Sequence, residues 1–239
     1  MTSLIVGASG ATGKLLVEQL IGAGHRVKAI VRPTGNVPDS WAENAHITLI
    51  RSDVTKMGVD ELAGYLKDCQ AVASCLGHTM SFKGIFGKPR RLVTDAVRLL
   101  CETISANKPE SRIKFVLMNT VGNRNRDLVE HIPFIQKVVI NLLRALVPPH
   151  ADNENAADYL RATIGQPHSF VSWVVVRPDS LIDEGAVSEY TCYPSPIRSA
   201  ILNPGKTSRV NVAHFMAGLM TDEAMWRRWE GQMPVIYNK

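Results

Sequence analysis

An apolar run, Ser3-Leu4-Ile5-Val6, opens into a turn with glycine at positions 7, 10 and 13, and the turn opens into a helix. Gly7 permits a tight turn, Gly10 lets the backbone approach an anionic ligand, and Gly13 lets helix and strand pack closely. The helix start adds unpaired N–H groups and a partial positive charge. Leu16, Val17, Leu20 and Ile21 give the helix its apolar stripe, and Gly24 is placed to end it. A strand pattern, Arg26–Arg32, follows, so strand, turn, helix and strand stand in the order that a dinucleotide pyrophosphate needs. The triphosphate P-loop does not fit. Ala8 stands where its first glycine belongs, and Leu15 where its magnesium-binding hydroxyl belongs.

The residues closing the second strand bear on which dinucleotide. NAD sites usually place a carboxylate there, which accepts from the ribose hydroxyls and repels a 2′-phosphate. This chain has Val31-Arg32-Pro33-Thr34, with no acid before Asp39. Arg32 can clamp a phosphate with its fork of donors and Thr34 can add a hydroxyl, unless Arg32 is simply a solvated strand end. The pattern favours NADP(H).

Elements able to position such a site alternate along the chain. Strand patterns recur at 46–50, 71–77, 113–118 and 171–176, with an apolar-faced helix from Arg91 to Ala106. This alternation predicts an α/β fold, a doubly wound Rossmann-type parallel sheet with helices on both faces. Ligands of such sheets lie beyond the carboxyl ends of the strands. Ser9, Arg32, Asp53, Gly77, Thr120 and Pro178 follow those ends. Two long irregular stretches, about 78–90 and 180–207, are expected to cap a substrate pocket, the second with Tyr190, Cys192 and Tyr193.

Composition narrows the rest. At 239 residues and 45% hydrophobic, the chain can bury one substantial core, so a single domain over 1–239 is expected. The net charge of +5 is spread along the chain and does not by itself indicate nucleic acid. Its densest cluster, Lys83, Lys88, Arg90 and Arg91, reads as a solvated loop or as an approach for an anion. Cys69, Cys75, Cys101 and Cys192 have no metal-ligand spacing and read as buried small hydrophobes in a reducing compartment. Only Met1-Thr2 precede the first strand, and no apolar run approaches a membrane span. The expected protein is cytoplasmic, a monomer or homodimer acting on a small molecule, with no metal, nucleic acid or membrane partner.

The whole pattern resembles the atypical short-chain dehydrogenase/reductase family, in its NAD(P)H-binding, NmrA-like branch. The resemblance rests on Gly7-Ala8-Ser9-Gly10-Ala11-Thr12-Gly13, Val31-Arg32, Ser52-Asp53-Val54, Ala156-Ala157-Asp158-Tyr159-Leu160-Arg161 and Val175-Val176-Arg177-Pro178. Arg209-Val210-Asn211-Val212-Ala213 is also similar, although Asn211 stands where an acid is commoner. The resemblance implies that Ser9, Gly10, Ala11 and Thr12 meet the pyrophosphate and Arg32 the 2′-phosphate. It implies Asp53 and Val54 beside the adenine, Gly77 by the ribose and Pro178 by the nicotinamide, with Leu76 and Asn119 also expected to bind the cofactor.

One departure matters. The superfamily's Tyr-x-x-x-Lys pair, whose lysine lowers the tyrosine pKa for proton transfer, occurs nowhere in this chain. Its place falls near His150-Ala151-Asp152-Asn153-Glu154. Either Pro148-Pro149 stop one helix there and Asp152 starts the next, or His150, a helical turn from Glu154, is an acid–base. Thr120 matches the family's hydroxyl that binds a substrate oxygen, or is a plain strand-end threonine. Two functions remain open. One is an NADPH-dependent reductase of a quinone, flavin or enone-like acceptor, its proton taken from solvent. The other is a non-catalytic NADP(H) sensor acting through a protein partner.

Overall fold

The computed structural model describes residues 1–78, 82–130 and 133–239. Residues 79–81 of the 78–90 stretch, and the Lys83 side chain of the basic cluster, lie outside the described set. The chain begins with β1 (Thr2–Val6), α1 (Ala11–Gly22), β2 (Arg26–Val31) and β3 (Ile47–Arg51). There follow α2 (Val59–Leu66), β4 (Ala71–Ser74), α3 (Phe82–Phe86), α4 (Leu92–Asn107) and β5 (Ile113–Met118). Next are α5 (Phe134–Leu146), α6 (Pro148–Asp158) and β6 (Val171–Pro178). The chain closes with β7 (Ser180–Ile182), β8 (Tyr190–Tyr193), β9 (Lys206–Ser208), α7 (Arg209–Thr221), α8 (Glu223–Trp229) and β10 (Val235–Asn238).

The main sheet has eight strands in the order β3-β2-β1-β4-β5-β6-β10-β8. Every pairing is parallel except β8 with β10, so the expected doubly wound sheet forms with one antiparallel edge. Strand order reverses between β1 and β4, which opens a crevice beyond their carboxyl ends. Strands buried on both faces show the consequence residue by residue. Leu4 and Val6 of β1 join one apolar cluster and Ile5 the other, as Phe115 and Leu117 of β5 are set against Val116. α4 supplies Val93, Ala96, Val97, Leu100 and Ile104 to the first cluster, and α1 supplies Leu16, Val17 and Leu20 to the second. Gly24 ends α1 as expected, in the left-handed region at φ 77°.

Three expectations change. The stretch 180–207 is not irregular throughout: it carries β7, the start of β9, and the edge strand β8. The prolines do more than stop a helix, because Pro148 lies in the first turn of α6, where a missing N–H costs nothing. Asp152 does not start that helix. It lies inside α6 and is 2% exposed. Its carboxylate crosses to the start of α4, accepting from Val93 N at 2.8 Å and Thr94 N at 3.0 Å. Past Asp158, the backbone widens into π-helical turns over Tyr159–Ile164.

Asn211 shows why an amide suits the start of α7. It is fully buried, donating to Ser188 Oγ at 2.9 Å and Asn238 Oδ1 at 2.8 Å. Its own oxygen accepts from Ser188 N at 2.9 Å. A carboxylate could not make both donations.

Candidate functional site

The glycine turn is built so that no side chain intervenes. A Cβ at Gly13 would fall 2.2 Å from the Gly7 carbonyl oxygen, and one at Gly7, held at φ 75°, would fall 2.7 Å from the Cys75 carbonyl carbon. Gly10 precedes α1, and neither a capping side chain nor a first-turn acid satisfies that helix start. An open, positively polarised helix end behind bare backbone suits a pyrophosphate.

This turn forms one wall of a crevice at the carboxyl ends of β1 to β4. Gly7, Ser9, Gly10, Arg32, Asp53, Val54, Leu76 and Gly77 line it together. Ile30, Ser52, Cys75 and Leu92 complete it, and none of these four was expected as a site residue. Ser52 and Cys75 were legible only as strand ends, and Leu92 only as an apolar helix position. Ala11, Thr12 and Gly13 sit behind the turn in the first turn of α1, with Thr12 and Gly13 buried. The Arg32 turn packs directly on the glycine turn, since a Cβ at Gly35 would come within 2.9 Å of Ser9 Oγ. Among the described residues the Arg32 guanidinium makes no hydrogen bond or ion pair, and Thr34 lies exposed beside it. Arg51, which β-pairing places opposite Val31, is a second cation at this edge, donating to Gly35 O at 3.3 Å. Asp53 turns inward locally, accepting from Thr55 N at 3.1 Å and Thr55 Oγ1 at 2.8 Å.

Asn119, Thr120, His150 and Pro178 lie outside that crevice lining, at the ends of β5 and β6 and the start of α6. Asn119 donates to Asn153 O at 2.8 Å, so its amide ties the β5 end to α6. Pro178 holds the same loop, its carbonyl accepting from Val121 N at 3.0 Å. Thr120 and His150 meet across Gly122: a Cβ there would stand 3.5 Å from His150 Cε1 and 3.8 Å from Thr120 Oγ1. Thr120 Oγ1 accepts from Gly122 N at 3.3 Å, leaving its hydroxyl hydrogen available.

Glu154 does share a face with His150, with His150 Nε2 3.6 Å from Glu154 Oε1. The carboxylate is nevertheless committed to Arg144, which donates through Nε at 2.6 Å and Nη2 at 2.8 Å. His150 Nε2 is therefore buried without a hydrogen-bond partner. Burial lowers the His150 pKa, with Arg144 adding to the effect and Glu154 opposing it. Tyr159 offers no neutral-pH substitute for the missing tyrosine, because burial pushes its phenol up to about 12. Cys75, at the crevice, is likewise raised by burial to about 12.

Two buried anchors escaped the sequence reading. His78, just beyond Gly77, places Nε2 2.8 Å from Asp152 Oδ2 and Nδ1 3.2 Å from Gly84 O. Asp152 thus ties the loop after β4 to α4 and α6 at one point. Arg177, fully buried at the end of β6, donates to Met233 O at 2.6 Å, Asn123 O at 2.8 Å and Pro194 O at 3.2 Å. It also pairs with Glu130 at 2.8 Å. This cation pins the loop that carries Thr120 and Gly122. Among the described residues no cluster of His, Cys, Asp or Glu could hold a metal, and no helix is long and apolar enough to cross a membrane.

Comparison with known proteins bears on the fold and the family. Over 79 residues the chain is 39% identical to a chloroplastic protein of Arabidopsis thaliana described only as uncharacterized. That match covers 33% of this chain and only 28% of the plant protein's length. An anaerobilin reductase from Escherichia coli superposes with a TM-score of 0.67 at 15% identity, covering 100% of this chain and 97% of the other. A short-chain dehydrogenase/reductase from Veillonella parvula, solved in complex with NADP, gives 0.69 at 13% identity, covering 99% and 94%. Identities this low speak for the fold alone. The model of the NAD(P)H-binding family matches residues 7–223, and the chain belongs to that family.

Proposed function

We propose that the protein is an NADPH-dependent reductase passing hydride to a small organic acceptor of the quinone, flavin or enone type. The observation that carries the reading is the crevice. It sets Gly7, Ser9 and Gly10 beside an unpaired Arg32, with no carboxylate at the end of β2 to repel a 2′-phosphate. Ser9, Gly10, Ala11 and Thr12 would hold the pyrophosphate, with Gly13 closing the helix against the strand. Arg32 and Thr34 would take the 2′-phosphate, Asp53 and Val54 the adenine, and Leu76 and Gly77 the ribose. Asn119 and Pro178 shape the nicotinamide end through the loop they brace. The hydride comes from the reduced dinucleotide when it is bound. Thr120 donates a hydrogen bond to the acceptor oxygen, with neutral His150 beside it, and the proton comes from solvent. The same fold carries reductase chemistry in a structural neighbour. In this reading the stretches 78–90 and 180–207 would cap the acceptor, and the free thiols suit a reducing, cytoplasmic setting for a monomer or homodimer.

The test is NADPH oxidation against a panel of quinones, flavins and enones, beside NADH. Turnover with NADPH preferred supports the proposal. Tight NADPH binding without turnover across the panel refutes it and favours a redox sensor. That second reading draws on the absent Tyr-x-x-x-Lys and on Glu154 being engaged by Arg144. It requires different affinities for NADP+ and NADPH, and equal affinities dismiss it.

A further inference from the structure

We propose that the protein has a second ligand site, for a small aromatic carboxylate, in the cavity bounded by β7, β9 and the β8–β10 edge. The cavity measures about 610 Å³ and shares no lining residue with the dinucleotide crevice. That size is within the range of small-molecule sites. Its chemistry has three parts.

The apolar part is flat. Tyr193 and Tyr237 stand with ring centroids 6.1 Å apart and 58° between planes, and Ile182 and Ile197 line the same space. Gly205 makes room for this wall, because a Cβ there would come 2.4 Å from Tyr237 Cδ1. Tyr237 is almost wholly buried and backs the wall, while the partly exposed Tyr193 ring can pack against another ring.

The second part is positive. Arg198 and Lys206 line the cavity, and neither side chain has a hydrogen bond or ion pair among the described residues. The acids nearby are already occupied. Glu184 accepts from Ser188 Oγ at 3.0 Å and Asn238 Nδ2 at 3.1 Å. Asp179, behind the wall, accepts from Gly205 N at 2.9 Å and Ser180 N at 2.8 Å, and burial raises its pKa while Arg198 acts against the rise. Lys239 is turned to Glu189 at 3.2 Å. Two cations are left to attract an anion.

The third part is an unmet hydrogen bond. Tyr237 is 5% exposed, and its hydroxyl oxygen is buried with no hydrogen-bond partner. A buried donor left unsatisfied is costly, and a ligand carboxylate would relieve it. A bare inorganic anion would meet the cations but leave the aromatic wall uncovered, so an organic body is part of the inference.

Calorimetric titration of the whole protein with benzoate, naphthoate and cinnamate tests this, with naphthylmethanol as the neutral control and inorganic phosphate as the bare anion. Saturable binding of at least one carboxylate is expected, with the alcohol and phosphate much weaker. Arg198→Gln with Lys206→Gln should weaken the carboxylate about tenfold or more, as loss of charge-assisted contacts implies. Tyr237→Phe should weaken it several-fold without lowering the melting temperature, and NADPH affinity should stay the same in all variants. The proposal is overturned if no carboxylate saturates, if the double variant binds as well as the parent, or if phosphate binds equally. None of these outcomes depends on whether the protein is a reductase.

Discussion

Replacing Glu130 with Gln removes one charge from the anchor of the β5–α5 loop and changes almost no volume. Arg177 has no exposed surface, and three of its four partners are neutral carbonyls, those of Met233, Asn123 and Pro194. Glu130 is the only carboxylate with which it is paired among the described residues, and it also accepts from Asn125 N at 3.1 Å. A glutamine keeps one of the two oxygens, so its amide group must replace either the oxygen beside Arg177 or the one that accepts from Asn125 N. Breaking a buried pair by removing one partner costs about 3–5 kcal/mol, because the remaining charge stays desolvated. For a chain of this size, each kcal/mol lowers the melting temperature by about 2–4 °C, giving a drop of roughly 6–20 °C. The carbonyls hold Arg177 in place, so the strain should emerge in the lighter partner, the loop from Asn119 to Glu130. Differential scanning calorimetry reads the first effect, and amide hydrogen exchange across 119–130 reads the second. A Glu130→Gln protein that melts within about 1 kcal/mol of the parent, with unchanged protection in that loop, would refute the anchor.

Arg32→Ala should weaken NADP(H) by about 1.5–3 kcal/mol through loss of a charge-assisted contact, with NAD(H) little changed. Equal losses in titrations of both nucleotides would remove Arg32 from that role. Asp152→Asn should destabilise by about 2–3 kcal/mol, since one amide oxygen cannot serve Val93 N, Thr94 N and His78 together. Denaturant titration measures this cost. The His150 pKa is lowered from 6.5 in the fold, so the folded protein binds fewer protons than the unfolded chain just below that pH. Its contribution to stability is full above about 6.5 and lost as pH falls through the lower folded value, and His150→Gln should flatten that part of a pH–melting profile.

The glycine turn, the apolar stripe of α4 and the strand ends around the crevice are legible because local spacing determines them. Asp152 is different. Its donors Val93 and Thr94 are 59 and 58 residues away, and nothing in Pro148-Pro149-His150-Ala151-Asp152 distinguishes a carboxylate that caps its own helix from one that caps another. Arg177 and Glu130 are likewise distant in sequence and meet only when β6 and the loop after β5 close together. The motif Arg177-Pro178 can be read, but its partner cannot. β8 was hidden for another reason. Tyr190-Thr191-Cys192-Tyr193 is too short to show a clear alternation, and its pairing with β10 lies at the far end of the chain. Arg51 follows the same logic, as only register places it opposite Val31.

Two helix starts face the crevice, and the protein treats them differently. Leu92, at the start of α4, lines the crevice just as Gly10 does at the start of α1. The first N–H groups of α4 are taken by the buried carboxylate of Asp152, which cancels the partial positive charge there. α1 has neither a capping side chain nor an acid in its first turn. A side-chain cap on α1 would typically add about 1 kcal/mol to stability, and the fold does without it at this end. An anion entering between the two helices therefore finds one end already neutralised by protein and the other still electropositive, with Arg32 and Arg51 on its outer flank. On the proposed reading this charge pattern would set the pyrophosphate on α1 and the 2′-phosphate toward the β2–β3 edge, leaving the other ring to run along the sheet toward Thr120 and His150.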